Sequence, residues 1–250
     1  MRLSVYGQTD QGRLRAGNED SILVAPEFNL AVVADGMGGH EAGEVASKTA
    51  VDSIFDWFNN GGDDGAAFQL DPTLPSPVRR LVSSVLYADQ AIRRAAAAVP
   101  GRQGMGTTVV AAVVDEQTNS VYFAHAGDSR GYLARGRGLV QVTLDHSVVS
   151  DLLRAGVITE AQAQHVKKNA ITRALGVTEN LVVDVDQVDP RSGDTVLLCS
   201  DGLHGLLKDE EIGAVLLANM PLDETCATLI RLANEAGGND NISTCVLRLE

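Results

Sequence analysis

TTVVAAVVDEQTNSVYFAHAGDSRGYLARGRGLVQVT, residues 107–143, decides the fold. Apolar runs at 107–114, 120–126, 130–135 and 139–143 are separated by short polar or glycine-containing connections. Connections this short join antiparallel neighbours, because a parallel pair needs a crossover of a dozen or more residues. Upstream, 3–8, 21–25 and 30–34 read as strands. In 41–58, Val51, Ile54, Phe55 and Phe58 recur at helical spacing. Residues 59–77, with glycine, aspartate and three prolines, read as an exposed loop. A second helix spans 78–98, with Val78, Leu81, Val82, Val85, Ile92 and Ala96 as its buried stripe. Downstream, 145–170 changes character. Helical pieces at Val148–Ala155 and Thr159–Lys168 lack strong apolar faces and read as a surface insertion. Strands follow at 181–188 and 195–199, helices at 208–218 and 222–236, and a last strand at 242–249. Strands and helices are grouped rather than alternating, which predicts an α+β fold with antiparallel sheets.

The chain has 250 residues and 44% hydrophobic content, enough for a sizeable core. A net charge of −13 argues against nonspecific binding to nucleic acid or anionic membrane. It also means that an anionic substrate needs local help from cations or an arginine. Cys199, Cys226 and Cys245 are an odd set without CxxC spacing and read as buried reduced thiols. No stretch resembles a signal peptide or a membrane span, so a cytoplasmic protein is expected.

Asp35-Gly36 ends the run Leu30-Ala31-Val32-Val33-Ala34, and Asp201-Gly202 ends Val196-Leu197-Leu198-Cys199-Ser200. Asp128 follows the strand that ends Phe123-Ala124-His125-Ala126, and Asp240 directly precedes the last strand. A lone Asp-Gly is an ordinary turn. Here it is followed by further glycines and repeated, and a rigid scaffold hands side chains to a site at its strand ends. Asp35, Asp201 and Asp240 together could hold a pair of hard cations, which prefer oxygen ligands. Arg15, beside Glu19 and Asp20, reads either as a solvated ion pair or as a bidentate grip on phosphate. Such a set suits phosphate-ester hydrolysis. No clustered His/Cys set favours zinc, no Gly-x-x-x-x-Gly-Lys-Ser/Thr loop is present, and no cysteine heads a Cys-x5-Arg motif.

In order, these motifs closely resemble the metal-dependent protein serine/threonine phosphatases (PPM, or protein phosphatase 2C), bacterial branch. The matching stretches are Arg15-Ala16-Gly17-Asn18-Glu19-Asp20, Asp35-Gly36-Met37-Gly38-Gly39-His40, Gly106-Thr107-Thr108, Ala126-Gly127-Asp128-Ser129-Arg130, Asp145-His146-Ser147, Ile171-Thr172-Arg173-Ala174-Leu175-Gly176, Ser200-Asp201-Gly202-Leu203 and Gly238-Asn239-Asp240-Asn241-Ile242. The resemblance implies a four-layer αββα sandwich, formed as one domain over 1–250 with a flap at about 145–170.

By position, the resemblance implies that Asp35 bridges two Mn²⁺ or Mg²⁺ ions and that the Gly36 carbonyl and a water on Glu19 serve the second. Asp201 and Asp240 complete the first. Asp20 orients the nucleophilic water, Arg15 binds phosphate, and Asp128 with Asp201 binds a third ion. A metal-bridging hydroxide attacks phosphorus without a phosphoenzyme. The acid is open: Met37 stands where some relatives carry histidine, leaving a metal-bound water or His40, while His40 and His146 also read as helix-start or loop hydrogen-bonders. The implied partners are phosphorylated proteins, with a bacterial serine/threonine kinase as counterpart, and the chain is expected to be a monomer. The competing readings are a noncatalytic phosphoprotein-binding module and a phosphatase for small phosphoesters.

Overall fold

The computed structural model describes residues 3–38, 41–62, 66–163 and 170–249. In chain order its elements are β1 (Leu3–Asp10), β2 (Asp20–Ala25), β3 (Leu30–Met37), α1 (Glu41–Asn59), α2 (Ser76–Ala98), β4 (Gly106–Thr107), β5 (Val109–Asp115), β6 (Ser120–Ala126), β7 (Arg130–Arg135) and β8 (Gly138–Gln141). They continue as α3 (Val148–Arg154), α4 (Glu160–Ala163), β9 (Asp184–Val188), β10 (Thr195–Cys199), α5 (Asp201–His204), α6 (Asp209–Leu217), α7 (Leu222–Glu235) and β11 (Ile242–Leu249).

The strands form two antiparallel sheets, ordered β1-β11-β10-β7-β8 and β2-β3-β5-β6-β9, with β4 paired to β3. β3 shows why its sequence is continuously apolar. Val32 and Ala34 pack with Ile54 and Leu81 in the layer under α1 and α2. Ala31 and Val33 point the other way, into the layer between the sheets, with Val196, Leu198 and Leu247. A strand covered on both faces has no polar side, so strict alternation is lost. The third layer sets Leu197, Cys199 and Val246 against Ile212, Leu229 and Ile230 of α6 and α7. The result is the expected helix–sheet–sheet–helix sandwich.

Local chemistry sets the helix ends. Pro77 lies in the first turn of α2, where its missing N–H costs nothing, so that helix starts at Ser76. Asp223 and Glu224 occupy the first turn of α7, complementing the helix dipole. In α1, Val51, Ile54 and Phe58 are buried while Phe55 is only partly so, and in α2 Ala96 sits at the edge of the stripe.

Several boundaries differ from the sequence reading. β3 does not end at Ala34 but runs on through Asp35 and Gly36 to Met37, because β4 supplies a partner for Gly36 and Met37. Asp201-Gly202 is not a turn but opens the short helix α5. The strand expected from 181 begins at Asp184, where pairing with His125 begins. A 3-10 turn at Ala66–Phe68 interrupts the loop before α2. Of the helix expected at 159–168, the described part is Glu160–Ala163; His40 and 164–169 lie outside the described residues.

Candidate active site

The acidic residues meet at one end of the sandwich. Asp20 opens β2 and Asp35 lies near the end of β3, as direct partners in the ladder. Asp128 sits in the turn after β6, Asp201 begins α5, and Asp240 precedes β11. A cleft of about 690 Å³ is lined by Arg15, Glu19, Asp35, Gly36, Asp128, Asp201 and Asp240 among others. Among the described residues, each one given a metal, water or phosphate role from the sequence lines it except Asp20, which lies beneath the floor. There its Oδ2 accepts hydrogen bonds from Ser200 Oγ at 2.8 Å and Ser243 Oγ at 2.6 Å.

Packing this many carboxyls together is electrostatically unfavourable. Burial, followed by the charges of Asp20, Asp201, Asp128 and Asp240, holds the Asp35 carboxyl well above the usual range. Burial pushes Asp20 up to about 7, against the pull of its two serine hydroxyls. Asp128 is likewise pushed to about 7, by burial and then by Asp201 and Asp145. Asp201 is raised by burial and by Asp240, and is hydrogen-bonded to Asp35. Arg15 is the guanidinium that reaches this group, its Nη2 donating to Asp240 Oδ2 at 2.7 Å. An all-oxygen donor set with uncompensated buried charge fits hard divalent cations such as Mg²⁺ or Mn²⁺.

The loops carrying Arg15 and Asp240 are stitched together by Asn241, a residue to which the sequence reading gave no role. Its Oδ1 accepts the Glu19 N–H at 2.8 Å, and its Nδ2 donates to the Gln11 and Gly17 carbonyls. Arg13 and Leu14 N–H groups both donate to the Gly238 carbonyl. Gly12 takes φ +76°, and a Cβ there would fall 2.1 Å from the Asp240 carbonyl oxygen. Glu19 is placed by a second close approach. A Cβ on Gly43, in the first turn of α1, would lie 2.2 Å from Glu19 Oε2.

Asp128 is held from both sides. His204, three residues along α5 from Asp201, donates from Nε2 to the Asp128 carbonyl at 3.0 Å. Burial and then Arg130 push the His204 imidazole down to about 4, so near neutrality it is uncharged. On the other side, the Gly127 N–H donates to His146 Nδ1 at 3.1 Å. With Nδ1 accepting, the ring proton sits on Nε2 and points at Asp184 Oδ2, 3.0 Å away. Burial lowers the His146 pKa, and the ring is 1% exposed. His146 is therefore a buried clamp rather than a proton donor to the cleft.

Donor atoms of His125, His146 and Asp184 also lie within 4.8 Å of one another. The two rings are stacked, 4.8 Å apart and 11° from parallel, so their in-plane lone pairs cannot converge on one ion. Arg173 Nη1 already neutralises Asp184 at 2.6 Å. Ser200, Ser243 and His204 gave no sequence signal of their own, because their roles depend on partners far away in the chain.

The family model for protein phosphatase 2C matches residues 15–246, from the phosphate-binding candidate Arg15 into the last strand. The chain belongs to the protein phosphatase 2C family. It is 38% identical to the serine/threonine phosphatase Stp of Listeria monocytogenes, over 96% of this chain and 93% of that protein. The crystal structure of the Mycobacterium tuberculosis serine/threonine phosphatase PstP superposes with a TM-score of 0.84 at 35% identity, covering 99% of each chain. A structure of the PstP catalytic domain in complex with two manganese ions superposes with a TM-score of 0.82 at 34% identity, again over 99% of each. In this protein phosphatase 2C, the stretches between the motifs therefore follow the family architecture as well as the motifs themselves.

Proposed function

We propose that this protein phosphatase 2C hydrolyses phosphoserine and phosphothreonine in proteins, using Mn²⁺ or Mg²⁺ held on the acidic floor of its cleft. One observation carries the reading: the carboxyls of Asp20, Asp35, Asp128 and Asp201 are gathered at one cleft and all held above their usual range, first by burial and then by neighbouring carboxylates, with Arg15 at the rim. In this reading Asp35 would be a ligand shared by the ion pair. Asp201 and Asp240 complete one, and the Gly36 carbonyl and Glu19 serve the other. Asp128, with Asp201, offers a third position. When bound, the cations supply the Lewis acidity that makes water nucleophilic near neutral pH and neutralise charge on the phosphoryl oxygens.

The protein's own groups do the rest. In the present geometry Arg15 is the counter-ion of Asp240. With Asp240 engaged as a metal ligand, the Arg15 guanidinium would be left to grip two phosphoryl oxygens, a charge-assisted bidentate contact. Asp20, fixed by Ser200 and Ser243, supports the attacking water from beneath Asp35. The departing serine or threonine oxygen takes its proton from water in the cleft; His146 offers no alternative, since both of its ring nitrogens are engaged.

In the same reading, residues 1–250 form one phosphatase domain with 145–170 as its flap. Contributions to the site from Arg15 through Asp240 support that organisation. The protein works in the cytoplasm as a monomer opposite a serine/threonine kinase. Three free buried cysteines suit a reducing compartment, and the net charge of −13 disfavours self-association. No helix among the described residues is long and apolar enough to cross a membrane.

The test is hydrolysis of a phosphothreonine peptide by metal-stripped protein, before and after adding Mn²⁺ or Mg²⁺, beside Asp201→Asn. Turnover that requires the ion and vanishes in a folded variant is the expected result. Full activity in Asp201→Asn would remove that residue from the site. A folded, ion-loaded protein that turns over no phosphopeptide would favour the binding module or a small phosphoester.

A further inference from the structure

We propose that a trough beside the catalytic cleft selects substrates by an aliphatic side chain near the phosphorylated residue; this rests on the phosphatase reading above. The trough encloses about 810 Å³, within the usual size of a ligand site. It shares Arg15, Asp128, Asp201 and Asp240 with the catalytic cleft, so the two are one continuous depression. A chain whose phosphate lies at Arg15 continues directly into it. Extended polypeptide advances roughly 3.3–3.6 Å per residue, so side chains one to three positions away reach the trough.

The wall of the trough is aliphatic. Leu144, Val149, Leu153 and Ala163 line one side, and Leu206, between α5 and α6, lines the other. Leu144 is 52% exposed. A single exposed leucine is ordinary, but several aliphatic groups converging on a depression that opens into a site mark a contact surface.

The polar side chains nearest the aliphatic wall are already engaged with neighbouring groups. Arg130 makes a bidentate pair with Asp145 at 2.8 and 2.7 Å, and Gln141 Nε2 donates to Asp145 Oδ1 at 3.0 Å. His204 is taken by the Asp128 carbonyl, and Ser147 Oγ by the Ser150 N–H. Arg130 is thus not offered to a second phosphate or an acidic side chain. Recognition falls to the aliphatic wall, and the occupant that spans cleft and trough together is the substrate polypeptide.

The test compares phosphothreonine peptides that differ only in the flanking positions: leucine or valine on the N-terminal side, on the C-terminal side, or serine on both. Wild-type protein, Leu144→Gln and Leu153→Gln are each assayed with Mn²⁺, using para-nitrophenyl phosphate as a substrate without flanks. The expected result is roughly tenfold higher kcat/KM for one aliphatic-flanked set, carried mainly by KM, as burial of one such side chain gives. Both variants should lose that preference and keep wild-type turnover of para-nitrophenyl phosphate. Equal rates on all peptides overturn the trough and leave the phosphatase standing. Equal losses on every substrate in the variants also overturn it, since that pattern marks a structural role. Turnover of para-nitrophenyl phosphate without turnover of any phosphopeptide overturns both readings.

Discussion

Asp20 and Asp35 are direct partners across the β2–β3 ladder, so two buried carboxyls face one another where a sheet would ordinarily avoid like charges. Opposed residues in an antiparallel pair place their Cβ atoms about 4.5–5.5 Å apart. Backbone pairing therefore forces the proximity: after burial, the Asp20 charge is the next cause that raises Asp35, while Asp20 itself is raised by burial and by Asp201 and Asp240. An arrangement that is unfavourable for the fold alone becomes favourable once divalent charge is added. In this protein the ladder register positions the site.

That relationship predicts how stability depends on pH without metal. The Asp20 and Asp128 carboxyls are each pushed to about 7 in the folded protein, against about 3.9 unfolded. Between these values the folded state binds more protons, so their contribution is full below about pH 4 and lost as pH rises through about 7. The melting temperature of metal-stripped protein should fall from pH 5 to pH 8, and Asp20→Asn should flatten that slope. Added Mn²⁺ should raise it far more at pH 8 than at pH 5. Parallel pH curves for wild type and Asp20→Asn would place the burden elsewhere.

Arg15→Ala should raise KM for a phosphopeptide and lower kcat, with a combined loss on the order of 10²-fold in kcat/KM, because it removes a charge-assisted contact to the reacting phosphate. Arg15 is half-exposed, and among the described residues its guanidinium is bonded to Asp240, so the melting temperature should hardly move. Unchanged kinetics beside a changed melting temperature would make the arginine a structural residue.

His204→Ala deletes the hydrogen bond to the Asp128 carbonyl without touching a carboxylate. A neutral hydrogen bond contributes about 1 kcal/mol, or roughly fivefold in an equilibrium constant. The weakest Mn²⁺ isotherm should shift by about that factor, the tighter ions should not, and His204→Gln should recover part of the loss. Isotherms identical to wild type would confine His204 to packing.

Much of this was legible in the chain. The short connections within 107–143 announced antiparallel pairing, and the ends of apolar runs marked Asp35, Asp128, Asp201 and Asp240. What escaped were relationships set by distant partners. That β3 continues past Asp35 depends on Gly106 and Thr107, about seventy residues on. The Asp20–Asp35 opposition is a fact of register, and Ser200 and Ser243 reach Asp20 from the other sheet. His146 reads from sequence as a loop hydrogen-bonder, but its ring partners Gly127, Asp184 and Arg173 lie 19 to 38 residues away and could not be named.

Gly43 gives the sharpest separation of stability from function. Replacing a helical glycine by alanine ordinarily adds about 0.5–1 kcal/mol of stability by reducing the freedom of the unfolded chain. At Gly43 the new methyl would fall 2.2 Å from Glu19 Oε2, the mobile end of a side chain that can swing aside, and 3.0 Å from the Gly36 carbonyl carbon, which must give by a few tenths of an ångström. Gly43→Ala should therefore fold with a melting temperature close to wild type and yet bind its second Mn²⁺ more weakly, with reduced turnover that recovers at high metal. Gly36→Ala is the contrast. Its methyl would lie 2.2 Å from the Gly43 carbonyl and 2.5 Å from the Glu19 carbonyl, both backbone, so that variant should lose stability outright. Paired melting curves and Mn²⁺ titrations of the two variants check the argument. If Gly43→Ala binds metal as wild type does, Glu19 has room the structure does not show and its role in holding the ion falls.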